Sequence, residues 1–283
     1  VMLSPLEFVS DLANPALGFL PRALVISIIV AAVCGVVGTH VVLRGMAFIG
    51  DAVAHAVFPG IAIAFALEVS ILFGGAVAGA SVAVLIAVFS QRRRVKEDTL
   101  IGIFFAASFA LGLVIISRVQ GYTASLTSIL FGSITGVSES DIVIAFVVGA
   151  GVVTLLIALT PQLTALALDR ETARAMNLPV LALDVVLYLA VTAAVVISLR
   201  TIGNILVLAL LITPAATARL LTNRLPSMMA LAALIGVGGS VCGLYLSWAL
   251  DAPTGATIVL TLTAVFLFTW VAQPVRFRSK VPA

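Results

Sequence analysis

Apolar residues fill this chain in blocks of about twenty, parted by short polar stretches, which at about 1.5 Å rise per helical residue is the length that crosses a roughly 30 Å hydrocarbon layer. Nine such blocks predict spans at about 20–43, 46–67, 70–90, 99–118, 141–160, 182–199, 203–222, 228–250 and 254–273. The seventh holds Pro214, which predicts a short or broken helix and makes eight spans the alternative. Nowhere do polar and apolar residues alternate with the period of two that a barrel strand requires. The expectation is an all-α polytopic helical bundle, with residues 1–283 forming one transmembrane domain. Residues 4–12 predict a short amphipathic helix at the surface. Gly75 with Gly79, and Gly239 with Gly243, have the spacing that lets two helices approach closely.

Composition agrees with this pattern. The chain is 62% hydrophobic and 10% charged, with mean hydropathy +1.28, against about 25% charged residues in soluble domains. The net charge of +3 raises the question of nucleic acid, and the distribution of Lys and Arg answers it. Arg44, Arg92, Arg93, Arg94, Lys96, Arg170, Arg174, Arg219, Arg224, Arg276, Arg278 and Lys280 fall on one side of the nine-span arrangement. Only Arg22, Arg118 and Arg200 fall on the other. Basic loops stay in the cytoplasm, so the N-terminus is expected outside and the C-terminus inside. The basic residues are then explained by topology, and no nucleic-acid partner is called for. Cys34 and Cys242 both lie in apolar segments and read as buried thiols. The first 19 residues lack a basic n-region, so no cleavable signal peptide is expected.

Two connections stand out. Residues 119–140 are expected outside, with a short helix around 126–132 and Glu139 and Asp141 at their end. Residues 163–179 are expected inside as a helix, with Asp169, Arg170, Glu171 and Arg174 on a polar side and Leu166, Leu168 and Met176 apolar. Such a segment is either a solvated connector or a rigid docking knob for a cytoplasmic partner.

Several chemistries are excluded. With only His40 and His55, there are no paired histidines for haem. No Ser/His pair, no pair of intramembrane aspartates and no H-E-x-x-H points to an intramembrane protease. Neither lysine, Lys96 or Lys280, follows a glycine, so there is no P-loop, and ATP would have to be used by another polypeptide. What remains is Asp51 and His55, in G-D-A-V-A-H-A-V-F-P-G (50–60). At i and i+4 they share a helical face. Ionisable groups within a span usually face a cavity and carry a function. Three readings stand: an internal hydrogen bond, a proton relay, or coordination of a divalent ion. Carboxylate with imidazole suits Mn²⁺, Fe²⁺ and Zn²⁺. Pro59 and Gly60 can loosen the helix beside a lined cavity. Two ligands are few, and a twofold dimer would double them.

The stretch V-V-L-R-G-M-A-F-I-G-D-A-V-A-H-A-V-F-P-G-I-A-I-A-F (41–65) resembles the hallmark of the membrane permeases of manganese/zinc/iron (ABC-3 type) ABC importers. Further likenesses are E-D-T-L-I-G-I-F-F (97–105), S-I-L-F-G-S-I (128–134), L-D-R-E-T-A-R-A-M-N-L-P (168–179) and L-L-I-T-P-A-A-T-A-R-L-L (210–221). The resemblance covers nearly the whole chain. It implies an architecture similar to the vitamin B12 and siderophore importer permeases, in a bacterial inner membrane. It implies a transport subunit that is not itself an enzyme and holds no permanent cofactor. The partners it implies are a second copy of the chain or a paralogue, two copies of a cytoplasmic ATP-binding subunit, and an extracytoplasmic metal-binding lipoprotein or periplasmic protein. Asp51 and His55 match the family's metal-pathway pair. Leu168, Asp169, Arg170, Glu171, Arg174 and Met176 fall in its coupling helix. His40 does not belong to the motif and reads as a packing histidine or a further ligand. Manganese, zinc and iron are not told apart by these residues. A gradient-driven metal carrier and a membrane scaffold are the rival functions.

Overall fold

The computed structural model describes residues 4–92, 95–117, 136–202 and 204–272. The helix expected at 126–132 lies outside the described residues. Every regular element described is helical: α1 (Pro5–Leu12), α2 (Phe19–Leu43), α3 (Ile49–Ala66), α4 (Ile71–Ser90), α5 (Glu97–Ile116), α6 (Glu139–Leu168), α7 (Arg170–Ala175), α8 (Val180–Ile202), α9 (Asn204–Leu221), α10 (Leu225–Leu250) and α11 (Thr254–Ala272), with a 3₁₀ turn at Pro15–Leu17. A helix suits a bilayer, because each backbone amide and carbonyl finds its partner within the segment. Among the described residues, eight helices are long and apolar enough to span: α2, α3, α4, α5, α6, α8, α10 and α11. The seventh expected span is the shorter α9, with Pro214 inside it. Both readings of the sequence are thus reconciled by one short ninth helix.

Helix ends follow local chemistry. Ser4 and Glu7 form a capping box at α1, and Ser138 with Asp141 forms another at α6. The surface helix α1 is held by Phe8, buried with Leu20 and Leu244, and by Trp248 Nε1 donating to Asp11 Oδ2 at 2.9 Å. One boundary differs from expectation. The fifth span was expected to stop at about 160, yet α6, 30 residues long, runs on through Pro161 to Leu168. Thr160 and Thr164 bond back to the carbonyls of Leu156 and Thr160 at 2.7 Å, which turns their hydroxyls onto the helix's own backbone.

α2 is the central helix, buried against α6, α8, α9 and α10. α3 packs between α4 and α5. Glycine sets two of these approaches. A β-carbon on Gly38 would run into the backbone of Leu211 in α9, and one on Gly60 would meet the carbonyl of Gly74 in α4. The two spaced glycine pairs do pack helices: Gly75 and Gly79 against Val57, and Gly239 and Gly243 against Leu262 and Ile258 of α11. Cys34 is buried, while Cys242 is exposed, contrary to expectation. It sits on an outer face of α10, where an apolar thiol needs no protein neighbour. α5, α6 and α11 turn many large apolar side chains outward, as helices facing lipid do.

Candidate metal pathway and charge cluster at the basic end

The turn from α2 into α3 is made by Gly45 in the left-handed region (φ +69°), a conformation that costs glycine little. Six residues later Asp51 lies in the first turn of α3, where the helix dipole favours a negative charge. His55 follows one turn on. Its Nε2 is 3.5 Å from Asp51 Oδ1, and the side chains are 17% and 32% exposed respectively. That separation is at the far limit of hydrogen bonding, so the two groups face one another without being locked together. The remaining ring nitrogen, Nδ1, is buried without a partner among the described residues.

The walls of the site are aromatic. Phe105 and Phe109 of α5 meet the imidazole edge-to-face, with centroids 4.9 and 5.0 Å away. Phe58 lies 5.3 Å away. Phe105, Phe109 and Gly112 recur at helical spacing along one face of α5. Gly112 lets that face reach α3, because a β-carbon there would already touch Phe58 and Pro59 at 3.3 and 3.4 Å. The sequence displays F-F-A-A-S-F, but Phe-rich spans are common and nothing local marks which rings meet His55. Among the described residues, no group of three or more His, Cys, Asp or Glu is assembled. One chain therefore offers two adjacent ligands here. His40, on α2, is buried with Nε2 lacking a protein partner.

A second constellation lies at the basic end, and sequence reasoning missed it. Asp184 of α8 is fully buried, and it accepts from Arg44 Nη1 at 2.8 Å, from Gln91 Nε2 at 2.8 Å and from Arg170 Nη2. Arg170 also donates to Glu97, and Arg174 donates to Gln91 Oε1 at 3.3 Å. The Arg44 side chain is 6% exposed, and its Nη2 has no partner among the described residues. A cavity of about 560 Å³ opens beside this cluster, lined by Arg44, Glu97 and Arg170 among others.

The expected helix at 163–179 is two pieces. Residues up to Leu168 complete α6, and the chain breaks at Asp169 (φ −155°, ψ 118°). Asp169 caps the short α7 by accepting from the amides of Glu171 and Thr172 at 3.1 and 3.0 Å. α7 ends in a Schellman arrangement, in which Leu178 donates to the Ala173 carbonyl and Asn177 to that of Arg174. Asn177 takes the left-handed position (φ +58°). D-R-E-T-A-R-A-M-N-L-P is thus a self-contained capped turn. Leu168, Asp169, Glu171, Arg174 and Met176 are exposed on it, whereas Arg170 turns inward and Leu166 is buried. At the opposite end Glu139 pairs with Arg22 at 3.1 Å, and Asp141 serves the α6 cap.

Residues 16–273 match the family described as the ABC 3 transport family. Over 256 residues the chain is 41% identical to the manganese transport system membrane protein MntC of Halalkalibacterium halodurans, covering 90% of this chain and 88% of that one. It is 34% identical over 257 residues to a Haemophilus influenzae protein named "Probable iron transport system membrane protein", covering 90% of each. Its fold is similar to the solved structure of PsaBC from Streptococcus pneumoniae in complex with Fab, with a TM-score of 0.84 at 36% identity, spanning 96% of this chain and 97% of that one. Helical architecture, the motif around Asp51 and His55 and these likenesses agree: the chain is a multi-pass bacterial membrane protein belonging to the ABC 3 transport family.

Proposed function

We propose that this chain is the permease subunit of an ATP-driven importer of a divalent transition metal, with manganese the first candidate. The observation that carries the reading is the Asp51–His55 pair, 3.5 Å apart and partly exposed on an otherwise apolar span. Carboxylate and imidazole are ligands for Mn²⁺, Fe²⁺ and Zn²⁺, and the manganese and iron names of the relatives support the same class of cargo. Two ligands from each of two copies around a twofold axis would complete a four-ligand site. An ion in transit needs such a site to be adequate and not tight, since it must leave as well as enter.

The metal would reach the pathway from an extracytoplasmic metal-binding protein docked near residues 119–140. Two ATPase subunits would engage the exposed face of α7 through Leu168, Met176, Asp169, Glu171 and Arg174. The test is uptake by the complex isolated through this chain and reconstituted in vesicles with no ion gradient. Manganese should accumulate only with ATP, and Asp51→Ala or His55→Ala should abolish accumulation while the ATPase remains bound. Accumulation without ATP would favour a gradient-driven carrier. Normal accumulation by both variants would remove the pair from the pathway.

A further inference from the structure

We infer that Asp184 is the node through which movement of α7 reaches the metal-bearing end of α3. The inference rests on the importer reading above and adds to it a residue and a route. Asp184 is the meeting point of parts that are remote in sequence. Its carboxylate holds Arg170 at the start of α7, Gln91 at the end of α4 and Arg44 at the end of α2. Arg170 extends the connection to Glu97, the first residue of α5. The elements fastened there include the helix that carries Phe105 and Phe109, and the turn that leads directly into Asp51.

α8 grips that turn twice. One helical turn beyond Asp184, the fully buried Tyr188 lies over Met46, with its hydroxyl 3.5 Å from the sulfur. Arg44 and Met46 flank Gly45, so the turn between them is held at both sides of its most permissive residue. On this inference a shift of α8 or α7 is passed to the start of α3.

The cluster is also able to rearrange. Two guanidiniums and one amide converge on a single carboxylate, while Arg44 Nη2 is buried with no acceptor among the described residues. A buried charge of this kind is strongly held to whichever acceptor it has, and an unsatisfied donor beside it gives a second arrangement something to gain. In the proposed second arrangement Arg170 releases Asp184 and keeps Glu97, or the reverse. Because a chain of contacts is not itself proof of energetic coupling, the test must measure coupling directly.

The complex is isolated from its host through a tag on this chain and reconstituted. Manganese accumulation and ATP hydrolysis are then measured on the same vesicles. Arg170→Lys keeps the charge but loses the fork that joins Glu97 to Asp184. Asp184→Asn keeps the shape and removes the charge. Each should lower manganese moved per ATP by about tenfold while the ATPase stays bound and continues to hydrolyse. The double variant should be no worse than the more affected single one. An unchanged ratio in both variants, or losses that multiply in the double, overturns the relay. So does a parallel fall of both activities at an unchanged ratio, which is the mark of a merely structural role. Should Asp184→Asn fail to assemble, Arg170→Lys and Glu97→Gln carry the same comparison. A wild-type complex that hydrolyses ATP yet accumulates no manganese, iron or zinc overturns the importer reading and the relay with it. A transporting wild type with unaffected variants overturns only the relay.

Discussion

The ring of Phe109 stands edge-on to the imidazole of His55, with centroids 5.0 Å apart and planes at 86°. With Phe105 in the same attitude, it fixes the orientation of the ring whose Nε2 faces Asp51. Such aromatic contacts contribute about 0.5–1.5 kcal/mol each. Phe109→Ala should therefore raise the half-saturating manganese concentration by up to about tenfold with a smaller change in maximal rate. Manganese-dependent uptake kinetics would measure the split. An unchanged half-saturation would mean that the phenylalanines only fill space.

The proposed doubling of the pair at a twofold axis has a consequence of its own. In two copies joined by a linker into one polypeptide, Asp51→Ala in a single copy removes one ligand of four. Uptake should fall by at least about tenfold, the scale on which metal sites respond to damage among their ligands and supporting groups. Half-normal uptake would mean that each copy carries its own path.

Close approach of α3 to α4 depends on Gly60 and Gly74. Gly60→Val would place a branched side chain against a carbonyl that belongs to the neighbouring backbone and cannot swing aside. Overpacking of this kind costs about 1–3 kcal/mol. Thermal unfolding of the purified protein in detergent should show a lowered midpoint, and a midpoint equal to wild type would mean that the helices separate without penalty.

α7 should depend on its cap. Asp169→Ala removes the acceptor for two amides, a loss of about 1 kcal/mol, and should weaken stimulation of the bound ATPase. Inserting two glycines after Glu171 is the harsher form, since each costs about 1 kcal/mol in a helix and the register also shifts. The insertion should abolish transport and ATPase stimulation while the dimer persists in the membrane. Normal import with the ATPase bound would reduce the segment to a connector.

The spans and the Asp51–His55 face were legible because both are local patterns: hydropathy over twenty residues, and two polar groups four apart. Asp184 was not. In L-A-L-D-V-V-L it reads as one acid near a membrane surface, and its partner Arg44 lies 140 residues away. No periodicity connects them. Arg170 was read as part of the outward polar side of its segment for the same reason: helical spacing alone does not tell which polar residue finds a buried acceptor. The continuation of α6 beyond Pro161 escaped because proline ends helices readily in water and is better tolerated in membrane helices.

Pro59 lies inside α3, four residues after His55, and a proline has no amide hydrogen to give. The carbonyl oxygen of His55 is thus deprived of its regular helical donor. The span thereby gains, at His55 itself, an oxygen acceptor that belongs to no side chain. Replacing side chains one by one would never reveal it, since a peptide oxygen survives every substitution. Only a change at Pro59 that restores the amide, such as Pro59→Ala, would take it out of play.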